Sequence, residues 1–261
     1  MLTIAMANQK GGVGKTTATR NFARSAALLH LRCLVADLDP QGNLTTALAT
    51  PDMPAGVAGV ADALSARVDD QLKDVLVPTI WSGVTLAPTS EDDDVLESVR
   101  DELVVAGAGR EGRLRAQLAE LEDDYDLVLI DTRPALDQLT INALVAADTV
   151  VIVTNPELFS ANGIGKLNRT IETVREHYNP ALLVGGLLIN YHEAGNTILS
   201  KHWVDEIKQS GLPLLEPPIP RHTWIGSATQ QGVALDEVSA AGAAVQSIYT
   251  QHLRTLMGDL A

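Results

Sequence analysis

Residues 8–17 are NQKGGVGKTT, and the eight positions from Lys10 to Thr17 hold three glycines, two lysines and two threonines. That mixture suits the holding of phosphate. Gly11, Gly12 and Gly14 let successive backbone N–H groups turn toward phosphate oxygens. Lys15 supplies a point charge, and the Thr16 hydroxyl is placed to bind Mg²⁺. The usual form of such a loop is G-x-x-x-x-G-K-[ST]. Here the position six before Lys15 is Gln9, and a second lysine, Lys10, stands ahead of the glycine pair. Asp37 and Asp39 lie two apart at the end of an apolar run, so both carboxylates leave an extended chain on the same side. Asp131 closes a third apolar run, LVLI.

These residues need elements to position them, and the pattern supplies strands and helices in alternation. Buried strands are predicted over 2–8, 32–39, 84–90, 125–132, 148–155, 182–191 and 212–220. After the glycine loop, Ala18, Phe22, Ala26 and Leu29 share one helical face. A short helix at VADALSA and helices near 93–105, 111–122, 138–146, 163–177, 198–210 and 236–257 complete the pattern. Continuous apolar strands between helices indicate an α/β fold, a mostly parallel twisted sheet with helices on both faces. No repeat or low-complexity linker interrupts it, so residues 1–261 are expected to form a single domain.

Composition narrows the function further. Acidic residues number 33 against 19 basic, a net charge of −14, which argues against wrapping in nucleic acid by bulk charge. The single cysteine, Cys33, excludes a disulfide framework, a four-cysteine zinc site and a cluster held by several thiolates of one chain. No signal peptide opens the chain, and no stretch reaches the roughly 18 apolar residues that span a bilayer. A cytoplasmic protein is expected.

KGGVGKTT resembles the deviant Walker A motif of the ParA/MinD family of P-loop ATPases. The resemblance covers most of the chain. LVADLDPQGNLTTAL (34–48) is similar to the family's second motif, and LVLIDT (127–132) to its Walker B strand. It implies an ATP- and Mg²⁺-dependent switch. ATP would lie against Lys10, Gly11, Gly12, Val13, Gly14, Lys15, Thr16 and Thr17, with Asn190 on the adenine edge and Pro220, in PPIPR, against the adenine ring. Mg²⁺ would be held by Thr16, Asp37 and Asp131. Lys10, Lys15 and Asp39 would be catalytic, Asp39 by orienting the attacking water and Lys10 by reaching the phosphates of a second subunit. Two chains would then close over two ATP molecules as a homodimer.

Within that family the chain is similar to the short partition ATPases, whose loop is preceded by no helix-turn-helix. That resemblance implies non-specific double-stranded DNA and a ParB-like centromere-binding protein with a basic N-terminal segment as partners. A nucleoid-associated location would follow. A relative that positions a protein cargo shares the same site. A MinD-like membrane ATPase is disfavoured, because the C-terminal apolar stripe through Val245, Ile248, Leu256 and Met257 carries one basic residue, Arg254. A synthetase of biotin or cobalamin type is disfavoured by Lys10. Two segments depart from the family. Where it has D-x-P-P after Walker B, this chain has Arg133, placed to touch phosphate, an acidic partner or solvent. YHEAGNT (191–197) and IPRHTWIGS (219–227) lack the usual DNA-binding arginines apart from Arg221, leaving Arg221, Lys201 and Lys208 as candidate DNA contacts beside Lys166, Arg169 and Arg175.

Overall fold

The apolar runs become the strands of one eight-stranded sheet, ordered β3-β4-β2-β5-β1-β6-β7-β8. The computed structural model describes residues 1–54, 56–89, 93–155, 161–191 and 211–258. The central strands are β1 (Leu2–Ala7), β2 (Cys33–Leu38), β5 (Leu127–Thr132), β6 (Thr149–Thr154) and β7 (Leu183–Ile189), with β4 (Val84–Ala87) beside β2. Neighbours pair in parallel except β3 (Val77–Pro78), which runs antiparallel to β4 at one edge. β8 (Leu214–Leu215) forms the other edge.

Side chains alternate between two cores. Leu34, Ala36, Val128 and Ile130 enter one, while Cys33, Val35, Leu127 and Leu129 enter the other. A strand buried on both faces has no polar positions to give, which is why these runs read as continuously apolar. The helices α1 (Lys15–Leu28), α2 (Asn43–Leu48), α3 (Val60–Leu64), α4 (Asp93–Val105), α5 (Arg113–Ala119), α6 (Gln138–Ala146) and α7 (Ala161–His177) lie between strands. After β8 come α8 (Thr223–Gln230), α9 (Leu235–Val238) and α10 (Ala240–Leu256).

The structure refines several expectations. The helix expected over 236–257 is two, because Ser239 is extended (φ −170°, ψ 169°) and its hydroxyl accepts from Gly242 N–H at 3.1 Å to start α10. A Cβ on Gly242 would lie 2.0 Å from the Leu235 carbonyl oxygen, so only glycine lets the two helices meet there. The strand expected over 212–220 shrinks to two residues, since Pro213, Pro217 and Pro218 cannot donate to a ladder. Helix 111–122 begins with a 3₁₀ turn at Arg110–Gly112 and ends at Ala119. The helix expected near 198–210 lies outside the described residues. The C-terminal apolar stripe is spent internally: α10 buries Val245, Tyr249 and Leu253 in the core that also holds Phe22 of α1. Among the described residues no helix is long and apolar enough to cross a membrane.

Candidate active site

The loops after β1, β2 and β5 leave the carboxyl edge of the sheet together, because these strands are neighbours in the order β2-β5-β1. β1 is also where the chain turns from one side of the sheet to the other, the position at which open α/β sheets form a crevice. Asn8 ties the first loop down. Its Nδ2 donates to the Val153 carbonyl at 2.7 Å, and its Oδ1 accepts from Lys10 N–H at 2.9 Å. Gly12 and Gly14 then take φ values of +73° and +90°. At Gly14 a side chain is excluded twice, since a Cβ would also fall 2.5 Å from Asn190 Nδ2. α1 starts immediately afterwards, so its first N–H groups and the positive end of its dipole face the loop's concavity.

Lys15 is buried, with Nζ 3.5 Å from the Lys10 carbonyl oxygen. Burial lowers its pKa, and the charges of Asp131 and Asp39 oppose that shift. Asp37 and Asp131 are register partners on β2 and β5, and both are fully buried. Asp131 accepts from Thr16 Oγ1 at 2.7 Å and from Thr19 Oγ1 at 3.2 Å. Asp37 accepts from the N–H and hydroxyl of Thr45, each at 2.8 Å, and from Asp39 N–H at 3.2 Å. Burial pushes both carboxyls above their ordinary range, and in Asp131 the neighbouring Asp37 charge adds to it; the Thr45 and Thr16 hydrogen bonds pull the other way. The two acids lie side by side, and the Lys15 charge acts on Asp131. Thr16, Asp37 and Asp131 are hard oxygen donors, the set that fits Mg²⁺. Among the described residues no group of three or more His, Cys, Asp or Glu could hold a metal alone. Mg²⁺ held by these residues would take its remaining ligands from phosphate and water.

Above these groups opens a cavity of about 550 Å³. Gly11, Gly12, Gly14, Lys15, Thr16, Thr17 and Asp39 line it on the phosphate side. Gln41, Thr46, Pro134, Tyr191, Gly226 and Thr229 line the rest. A smaller cavity of about 340 Å³ adjoins it, walled by Gly12, Asn155, Tyr191, Arg221 and His222.

Several residues singled out by sequence lie elsewhere. Lys10 is half-buried and its side chain does not line the cavity. Buried Val13 points into the core. Asn190 is 2% exposed and braces the loop: Nδ2 donates to the Val13 and Gly14 carbonyls at 3.1 and 3.2 Å, and Oδ1 accepts from Tyr249 Oη at 3.4 Å. Its amide is spent on backbone and core, so the residue at the mouth is its neighbour Tyr191, held at φ +58°. Pro220 is half-buried, one residue after Ile219, whose N–H bonds the Ile189 carbonyl at 2.8 Å. Arg221 is exposed at the smaller cavity, and Lys201 and Lys208 lie outside the described residues. Arg133, half-buried, faces acidic side chains of its own chain. It pairs within the chain, Nη2 to Glu97 at 2.8 Å and Nη1 to Asp137 at 3.2 Å.

Pro134, Tyr191, Gly226 and Thr229 were not singled out by sequence. Tyr191 and Gly226 stand in the two segments that depart from the family's arginine pattern, and nothing in their spacing distinguishes a cavity wall from a turn.

A family model described as an AAA domain matches residues 1–184. The sporulation initiation inhibitor protein Soj of Bacillus subtilis strain 168 is 34% identical over 239 residues, covering 88% of each chain. The chain belongs to the ParA/MinD family. Family membership extends to the chromosome partitioning protein ParA of Caulobacter vibrioides, 34% identical over 252 residues, 92% of this chain and 88% of that one. The family fold is also that of a crystal structure described as cobyrinic acid a,c-diamide synthase from Mycobacterium smegmatis with bound ATP analogue and magnesium. It superposes with a TM-score of 0.81 at 32% identity, over 99% of this chain and 97% of that one.

Proposed function

We propose that this protein is an ATP-hydrolysing switch of DNA partition, monomeric without ATP and a closed dimer with it. Backbone N–H groups of Gly11 to Thr16 and the Lys15 ammonium hold the terminal phosphates. Thr16, Asp37 and Asp131 hold Mg²⁺, which supplies charge neutralisation on the phosphoryl oxygens. Asp39, at the rim of the cavity, orients the attacking water and accepts its proton.

The observation that carries the dimer is the placement of Lys10. Its backbone is held on both sides, N–H to Asn8 and carbonyl to Lys15, and Lys10 is not among the residues that line the cavity its own loop builds. A lysine so placed neutralises charge that arrives with a second copy. In the closed state the dimer binds double-stranded DNA without sequence preference, with Arg221, Lys201 and Lys208 among the phosphate contacts. A basic N-terminal segment of a ParB-like partner stimulates hydrolysis, which a chain of net charge −14 favours electrostatically. The switch works in the cytoplasm, on the nucleoid.

The test is binding to a non-specific duplex with ATP, with ADP and without nucleotide, across a salt series. Binding that requires ATP, weakens steeply with salt and is lost in Lys10→Ala supports the proposal. ATP-dependent dimers that never bind DNA would transfer the switch to another scaffold, such as a protein cargo.

The likeness to the synthase structure favours a second reading, in which the same phosphate site serves diamide synthesis on a cobyrinic acid-type substrate. ATP turnover that depends on such a substrate, and ignores DNA, would support it.

A further inference from the structure

We propose that Arg133 is a positioning residue for ATP hydrolysis, holding the β5–α6 connection over the phosphate loop by pairing with Glu97 of α4. The inference rests on the ATPase reading. The connection is fixed at both ends. Thr132 Oγ1 donates to the Met6 carbonyl at 2.6 Å, next to Asp131. Asp137 caps α6, its Oδ1 accepting from Leu139 and Thr140 N–H at 3.2 and 3.3 Å. Between them, Thr140 Oγ1 donates to the Ala135 carbonyl at 2.7 Å, and Ala135 N–H to the Arg133 carbonyl at 2.9 Å. Pro134 is thereby presented to the cavity, where it is the nearest neighbour of Gly11: a Cβ on that glycine would lie 3.9 Å from Pro134 Cβ.

The Arg133 side chain ties this segment to α4. It spans from Glu97 to Asp137 at 18% exposure, and Glu97 is gripped from the other side by Arg100. Two terminal nitrogens let the guanidinium pair with two carboxylates at once, which a single ammonium does less readily, while Nε and Nη1 make no hydrogen bond. Where the related pattern places a proline, whose ring would set the backbone directly, this chain sets it through a side chain. Loss of the pairs would leave Pro134, and the water-facing wall it forms, free to shift. Small displacements of such a wall act on the reacting geometry more than on ground-state binding.

The test measures Mg²⁺-dependent ATP turnover and thermal unfolding for the wild-type chain, Arg133→Ala, Glu97→Gln, the double variant and Arg133→Lys. Arg133→Ala should lower kcat about tenfold. KM should stay within about twofold, the signature of an interaction realised at the transition state. Glu97→Gln should lower kcat in the same direction, and the double variant should lose no more than Arg133→Ala alone, because both remove one coupling. Arg133→Lys should recover part of kcat. An unchanged kcat in Arg133→Ala, additive losses, or losses that merely track a fall in Tm would overturn the inference while leaving the ATPase reading intact. Absence of turnover in the wild-type chain would overturn that reading, and this inference with it.

Discussion

α1 buries charge at two places, and the two are handled differently. At its start, Lys15 faces Asp131 and Asp39 under an open cavity, and Thr16 donates to Asp131. Little more than a turn later, Arg20 is fully buried with its Cζ 4.8 Å from the Trp81 ring centre. Only Nη2 of Arg20 finds an acceptor, the Val233 carbonyl at 3.1 Å, while Nε and Nη1 have none. Burial pulls its pKa down to about 10. Arg24 beside it is pushed the other way by Asp236, whose two oxygens accept at 3.0 and 2.6 Å. Both clusters hold charge without full compensation. The first cluster opens through Lys15, Thr16 and Asp39 onto a cavity with room for phosphate and a cation. At Arg20 an aromatic face and close packing take the place of a counter-ion. An uncompensated charge therefore marks a ligand site only where the structure also leaves room.

Removing Lys15 should have the largest effect. Lys15→Ala is expected to lower ATP turnover by about two to three orders of magnitude, as loss of a preorganised electrostatic group does. Turnover and calorimetric ATP binding measure it, and a loss below tenfold would break the contrast between the clusters. Arg20→Ala should leave turnover intact yet destabilise the fold by about 2–4 kcal/mol, the cost of a cavity in the core. Arg20→Met, of similar volume, should be neutral or slightly stabilising, since replacing an unpaired buried charge with an apolar side chain removes its desolvation penalty. Denaturant unfolding of the two variants decides whether Arg20 is packing alone. Asp131→Asn should abolish Mg²⁺-dependent turnover while raising the stability of the nucleotide-free chain by on the order of 1 kcal/mol. The sign follows from the raised pKa: ionising Asp131 is disfavoured in the folded state, and the amide avoids it. A fall in Tm without ligand would contradict this. Arg24→Ala, losing a two-point pair at 15% exposure, should cost about 1 kcal/mol and nothing in turnover.

The same contrast governs what the sequence made legible. The phosphate side is written in contiguous motifs, because a glycine loop, its lysine and the hydroxyl on the next helix must be adjacent to work. Asp37 and Asp131 were legible as acids ending apolar runs, and the sheet places them side by side. Cavity walls built from distant segments were not legible. Tyr191, after β7, and Thr229, on α8, line the same cavity as Gly11 though far from it in sequence, and no local pattern encodes that approach. Asn190 was found as a site residue, but its engagement with the Val13 and Gly14 carbonyls depends on packing beneath the loop. Arg133 was conspicuous by its departure from the family pattern, while its partner Glu97 stands 36 positions earlier, with no periodicity to join them. α2, β3 and α8, of six, two and eight residues, were not expected from the sequence.

The central claim is that Lys10 serves a second copy rather than its own site. The direct measurement is molar mass by light scattering, with ATP and with ADP, for the wild-type chain, Lys10→Ala and Lys15→Ala, paired with ATP affinity for each. The account predicts a wild-type dimer only with ATP, a Lys10→Ala chain that binds ATP normally yet stays monomeric, and a Lys15→Ala chain that loses ATP. A Lys10→Ala chain that dimerises with ATP like the wild type, or one that loses ATP as Lys15→Ala does, would contradict it.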